Sequence, residues 1–185
     1  MSQGQAGWDD ALTGIARPGE VLLDKYRVDR VIGYGGMGVV VEALHIDLEE
    51  RVAIKFLLPE LGANEEAIAR FKREGRLLFK IKSDHVCRVL DVGELPDGVP
   101  FMTMEFLAGR DLGTMLERRE PFPIDVAVDY GLQTCQALAE AHVRGIVHRD
   151  LKPENLFASA RPDGSICIKL LDFGLSKLTT EPGEG

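Results

Sequence analysis

Four short segments of this sequence carry residue types that can do chemistry, and they come in a fixed order. They are Gly33-Tyr-Gly35-Gly36-Met-Gly38-Val-Val40, Val52-Ala53-Ile-Lys55, His148-Arg149-Asp150-Leu-Lys152-Pro153-Glu-Asn155 and Asp172-Phe173-Gly174. Glycines lack a Cβ, so a turn built from them lets backbone N–H groups approach an anion such as a phosphate closely. A tight hairpin within a sheet would use the same glycines without any ligand. A dinucleotide-binding loop has to open a helix and be followed by an acidic residue about twenty positions on, but here the β-branched run Val39-Val40-Val41 follows, and that reading drops out. Asp150 is a carboxylate in a loop, able to accept the proton of a hydroxyl group and orient it. Asp172 closes the apolar run Ile166-Cys-Ile-Lys-Leu-Leu171 and offers a hard anionic oxygen of the kind Mg²⁺ prefers.

These residues need elements to hold them. Residues 1 to about 20 mix Gly, Gln, Ser and Asp around the one Trp, without periodicity, and are expected to form a flexible leader. From Val21 the pattern is strand-like: Tyr26 to Ile32 enters the glycines and Val39 to Ala43 leaves them, which predicts a hairpin. Arg51 to Leu58 reads as a third strand, with Val86 to Val92 and Val99 to Phe106 as two more joined by a turn at Leu95-Pro-Asp-Gly98. Asn64 is placed to cap an amphipathic helix over 65–80, with Ile68, Phe71, Leu77, Leu78 and Ile81 on its apolar side. After Gly109 the pattern turns helical, with a short helix over 112–118 and a longer one over 124–144. Val128, Leu132, Cys135, Leu138 and His142 trace one face of the longer helix, and Gly145 ends it.

Composition narrows the function classes. The chain has 185 residues, 45% of them hydrophobic and 28% charged, enough for a sizeable core. The formal charge of −8 speaks against nucleic acid or an anionic membrane as a default partner. Cys87, Cys135 and Cys167 lie far apart without the paired spacing of a zinc or redox site and are expected to be reduced core thiols. No stretch approaches about 18 consecutive apolar residues, and the first ten lack a basic region followed by an apolar core, so a cytoplasmic protein is expected.

In order and spacing the four segments resemble the signature set of protein kinases. Lysine two residues after Asp150 is the Ser/Thr-type pattern, and Gly35-Gly36-Met-Gly38 with Pro18-Gly-Glu-Val-Leu-Leu-Asp-Lys-Tyr-Arg-Val28 is similar to the bacterial, eukaryotic-like branch. The resemblance covers about residues 21–178. It implies an α+β kinase-like fold, with a complete N-lobe over 21–107, made of a five-stranded antiparallel sheet and one helix. A partial, mainly helical C-lobe would follow over 108–185.

The resemblance also implies roles. ATP would be held by Ile32, Gly33, Gly35, Gly36, Gly38, Val40, Ala53, Lys55, Met104, Glu105, Leu107, Asp111 and Phe157. Met104 would be the gatekeeper, the Glu105 carbonyl and the Leu107 N–H would meet the adenine, and Asp111 would lie near the ribose. Lys55 would reach the α- and β-phosphates and pair with Glu74; taken alone, Lys55 would read as a lysine snorkelling from a strand edge, and a solvated charge run with Lys72 and Arg73 competes for Glu74, whose spacing from Lys55 suits the family. Asp150 would be the catalytic base, with Lys152 neutralising the transferring phosphate, and Asn155 and Asp172 would hold Mg²⁺. Arg149 marks the subclass whose activation loop is ordered by phosphorylation, and Thr179 and Thr180 fall in that loop.

The implied partner is a protein Ser/Thr substrate. No Ala-Pro-Glu segment follows Asp172 within the 185 residues, so the apolar side of the long helix is expected to lose part of its cover. This leaves a second expectation open: a catalytically inactive fragment, acting as a nucleotide-binding or interaction module, or pairing with a kinase partner chain.

Overall fold

The structure is a computed structural model that describes residues 16–36, 38–62, 64–117 and 121–173. It divides into two compact units. The first combines Met1–Arg76 with Val89–Phe106, the second Leu77–Arg88 with Leu107–Gly185. The sequence reading assigns all of 21–107 to one lobe, whereas by contacts the stretch Leu77–Arg88 groups with the second unit.

The first unit is an antiparallel sheet of six strands: β1 (Val21–Leu22), β2 (Tyr26–Gly35), β3 (Gly38–His45), β4 (Glu50–Leu57), β5 (Val89–Glu94) and β6 (Pro100–Glu105), in the order β1-β2-β3-β4-β6-β5. The sixth strand, beyond the five expected, is the two-residue β1, which pairs Val21 with Arg27 and Leu22 with Tyr26 at the edge. β5 begins three residues later than its apolar run suggests. Val86, at the start of that run, makes an isolated parallel bridge to Leu170 in the second unit. The turn between β5 and β6 closes with Leu95 N–H on the Val99 carbonyl at 2.9 Å, and Gly98 takes φ 90°, a torsion that favours glycine.

The period of two along a strand sorts the side chains of this sheet into two jobs. Val39, Val41, Ala43, Val52, Ile54, Phe56 and Phe101 are buried on one face and, with Tyr26 and Val28, form the main core. The opposite face carries a cross-strand row in which Val40 pairs with Lys55, Lys55 with Met102 and Met102 with Val92. Helix α1 (Glu65–Leu78) meets that second face at Gly75, beside Val92 and Met102. The Asn64 Oδ1 caps it by accepting from the Ala67 N–H at 3.1 Å, as the sequence leads one to expect. Ala67, Phe71 and Leu78 are buried along it. Between them Gly75 leaves no room: a Cβ there would stand 2.6 Å from Val92 Cγ2 and 2.9 Å from Met102 Cε.

The second unit holds a smaller sheet of β7 (Gly109–Asp111), β8 (Leu156–Ala160) and β9 (Ile166–Leu170), in that order and antiparallel. Its helices are α2 (Leu112–Glu117) and α3 (Ile124–His142). This part is therefore less purely helical than expected, because β7 and β8 join the one strand that the sequence pattern shows. Leu112, Ala158 and Ile168 form a small core with Phe122 and Tyr130 packed against it. Gly145 takes φ 71° just past α3, and the Ile146 N–H returns to the Ala141 carbonyl at 3.0 Å.

The buried face of α3 is not the stripe of large residues. Thr134, Ala137 and Ala141 are buried, whereas Val128 and Leu132 are 55% and 59% exposed and Cys135, expected in a core, is exposed. Small residues let the helix approach its neighbours closely, and a pattern search for large apolar residues picks the opposite side. Among the described residues, no helix is long and apolar enough to cross a membrane.

Two substitutions separate these environments by chemical denaturation. Gly75→Val overpacks the contact with Val92 and is expected to cost about 2 kcal/mol of stability. Leu132→Gln removes an exposed side chain and should change stability by less than about 0.5 kcal/mol, where a buried leucine cut back to alanine costs about 2–5.

Candidate active site

The glycine-rich turn joins β2 to β3, with Gly33 opposite Val40 and Gly35 opposite Gly38. Its glycines have different reasons to be glycine. A Cβ on Gly38 would sit 2.4 Å from the Phe56 carbonyl oxygen, so packing against β4 alone forbids a side chain there. Gly35 and Gly36 have nothing within 4 Å of such a Cβ, and neither has a positive φ. Neither packing nor backbone torsion explains them, and open space over a run of N–H groups is what a phosphate needs.

On the sheet face beyond the turn stand Val40, Ala53, Lys55 and Met104, with Ala53 paired to Met104 and buried. Lys55 is half-buried there. Glu74, next to the tightly packed Gly75, is only 8% exposed. A buried carboxylate is costly unless a cation answers it, and the lysine row is on the face that α1 meets at Gly75. Glu42, across from Ala53, is also buried and is answered by Arg30 at 2.7 Å and Arg51 at 3.4 Å. Ile32 is partly exposed near the end of β2, and Glu105 ends β6.

The second unit holds Asp150, Asn155 and Asp172. Pro153 to Asn155 form a single 3-10 turn, and the Asn155 N–H closes it on the Lys152 carbonyl at 3.0 Å. The Asn155 side-chain amide donates to the Asp150 carbonyl at 2.8 Å and to Asp150 Oδ2 at 3.3 Å. Lys152 Nζ stands 3.5 Å from the same Oδ2. With its NH₂ directed at Asp150, Asn155 has its own side-chain oxygen left for another partner.

His148 holds this loop to the end of β9. Its Nε2–H donates to the Leu171 carbonyl at 2.8 Å, its Nδ1 accepts from the Asp150 N–H at 3.3 Å, and its ring lies 4.7 Å from that of Phe173. The Leu171 N–H in turn donates to the Asn155 carbonyl at 2.9 Å. Two non-glycine residues beside these bonds sit in the left-handed region, Arg149 at φ 63° and Asp172 at φ 37°. Such torsions cost about 1–3 kcal/mol each and cluster at functional sites. Asp172 itself is exposed, whereas Asn155 is buried. One carboxylate and one amide oxygen, both hard donors, fit Mg²⁺, which is usually bound by one or two protein oxygens and completed by phosphate and water. Among the described residues, no group of three or more His, Cys, Asp or Glu side chains gathers as a metal cage would.

The remaining predicted residues fall as follows. Asp111, the last residue of β7, uses both carboxylate oxygens on Thr114, accepting from its N–H and its hydroxyl at 2.7 Å each, so it caps α2. Phe157 lies in β8 between Asp111 and Lys169, and Leu107 precedes β7. Gly174, Thr179 and Thr180 lie outside the described residues, as does most of the leader. Sequence reasoning missed Gln133 on α3, whose amide meets β9 directly and for which no motif gives a signal.

The glycine turn and the lysine strand lie in the first unit, and the histidine-anchored loop of Asp150 lies in the second. The chain belongs to the protein kinase family: a sequence model described as "Protein kinase domain" matches residues 26–184. It is 38% identical to the serine/threonine-protein kinase pkn3 of Myxococcus xanthus over 90% of this chain and 30% of that protein. It is 36% identical to the serine/threonine-protein kinase PknA of Corynebacterium glutamicum over 90% of this chain and 35% of that protein. Among solved structures, the PknI kinase domain of Mycobacterium tuberculosis matches with a TM-score of 0.73 at 29% identity, covering 88% of this chain and 62% of that one. The chain thus spans about a third of the length of these curated relatives.

Two predictions arise from this geometry. Gly38→Ala should destabilise the fold through its backbone clash, whereas Gly36→Ala should leave the melting temperature in place and weaken ATP binding; thermal melts with and without ATP check both. Burial holds the His148 imidazole below its usual value of 6.5, against the upward pulls of the Leu171 carbonyl, Asp150 and Asp172. The neutral ring is therefore favoured in the folded state, its contribution is complete above pH 6.5, and it is lost as pH falls below that through the folded value. Stability should decline on acidification through this window, with a slope that His148→Phe makes shallower.

Proposed function

We propose that this chain carries the ATP-handling and catalytic residues of a Ser/Thr protein kinase that transfers the γ-phosphoryl group of ATP to a protein hydroxyl, in the cytoplasm where ATP is plentiful. The observation that carries this reading is Asp150: one carboxylate oxygen fixed by Asn155 and Lys152, in a loop anchored through His148. A base held this way is oriented before substrate arrives, and orientation is most of what phosphoryl transfer asks of a protein.

In the reaction, Asp150 accepts the hydroxyl proton as the substrate oxygen bonds to the γ-phosphorus, the bond from that phosphorus to the β,γ-bridging oxygen breaks, and ADP leaves. Lys152, exposed and beside Asp150, balances charge on the transferring group. Lys55 takes the α- and β-phosphates, with Glu74 as its counter-ion. Gly35 and Gly36 admit the phosphates, Val40, Ala53 and Met104 line the adenine, and Glu105 and Leu107 offer it backbone groups. Mg²⁺, when bound by Asp172 and Asn155, supplies charge neutralisation on the phosphates. Asp111, committed to capping α2, would meet the ribose only by sharing or leaving its bonds to Thr114.

The test pairs a binding and a turnover assay on the purified chain. Mg²⁺-ATP at a hundred times its dissociation constant should stabilise the fold by about 2.7 kcal/mol, and Lys55→Met and Asp172→Ala should abolish that shift. Asp150→Asn should keep the shift while phosphotransfer to a protein substrate falls by about a hundredfold or more. A melt that ATP leaves unmoved would sink the reading.

A further inference from the structure

The side chain of Gln133 acts on β9 as a neighbouring strand would. Its Oε1 accepts from the Ile168 N–H at 2.7 Å and its Nε2 donates to the Ile166 carbonyl at 3.3 Å, two backbone groups on the edge of β9 that faces away from β8. The second Nε2 proton goes to Asp129 Oδ2 at 2.8 Å, one turn earlier on α3. That contact fixes which end of the amide is which. With the NH₂ turned to a carboxylate and a carbonyl, the oxygen must meet the N–H of Ile168.

The same edge is taken up further along by the segment before β5. The Leu170 N–H donates to the His85 carbonyl at 2.8 Å, the Cys87 N–H donates to the Leu170 carbonyl at 3.0 Å, and His85 Nδ1 lies 3.0 Å from the Ile168 carbonyl. Leu171 follows, held by Asn155 and His148, and then Asp172. While β8 holds one edge of β9, the groups on its outer edge from Ile166 to Leu171 are met by side chains and loops that are not strands. Gln133 is the one of these that ties β9 to α3, and slipping β9 relative to α3 would carry Asp172 with it.

We infer that Gln133, oriented by Asp129, is a positioning residue: it sets the place of β9 on α3 and through it the place of the Asp172 carboxylate toward Mg²⁺. The inference rests on the kinase reading given above. Gln133 touches no reacting atom, and its effect is confined to the affinity gained when metal accompanies nucleotide.

The quantity that separates positioning from plain stability is the ratio of the ATP dissociation constants measured without and with Mg²⁺, obtained by calorimetry on the full chain. Loss of a residue that orients a metal ligand lowers metal affinity by about tenfold or more, so Gln133→Leu should reduce the ratio by about that factor while metal-free ATP binding stays as in the unsubstituted chain. Asp129→Ala, on an exposed site, should move the ratio in the same direction by a smaller factor, and it decides the matter if Gln133→Leu fails to melt cooperatively. A normal ratio in the folded variants overturns the positioning role, even if their melting temperatures drop. A ratio of one in the unsubstituted chain overturns the kinase reading itself, and the two failures are thereby told apart.

Discussion

The His148 imidazole joins the two strained non-glycine residues found among the described residues of the second unit, Arg149 and Asp172. One ring nitrogen receives the Asp150 N–H across Arg149, and the other donates to the Leu171 carbonyl beside Asp172. Both bonds require a neutral ring with its proton on Nε2, which is the state that burial favours. Phe173 lies against the ring and is itself buried. Strained torsions persist where the surroundings over-determine them, and here a single side chain supplies much of that determination for the loop of Asp150 and for the end of β9 before Asp172 together.

The first unit divides its work differently, by the two faces of one sheet. Even a conservative change at Val41 or Ile54 acts on the core, while Val40, Ala53 and Lys55, their immediate neighbours in sequence, point to the opposite face. A one-residue slip in register would exchange the two sets completely. The clash that a side chain at Gly38 would make with the Phe56 carbonyl shows how closely β3 and β4 approach at that end. Glycine there serves the fold, whereas at positions 35 and 36 a Cβ would meet open space, which is where the proposed phosphate site lies.

Much of this was readable from the sequence because the relevant signals are local. The cap at Asn64, the glycine after α3 and the turn at Gly98 are short-range chemistry, and the structure has each of them. The motif residues were legible for the same reason. What escaped depends on distant partners. β8, with Leu-Phe-Ala-Ser-Ala, shows no clean alternation and becomes a strand only between β7 and β9. The buried face of α3 is made of Thr and Ala, invisible to a search for large apolar residues. Gln133 looks like an ordinary helix-surface residue until the edge of β9 is placed against it.

The way β9 is bordered has a consequence for how this chain behaves in company. An unpaired strand edge is a template on which other chains can add strands and grow into aggregates. The outer edge of β9 has its donors and acceptors taken by a glutamine side chain and by the segment around His85. The opposite edge of the sheet is β7, three residues long. A sheet so closed on one side and so short on the other gives an incoming strand almost nothing to copy, so the acidic end of β9 can stay open to solvent without inviting fibrils.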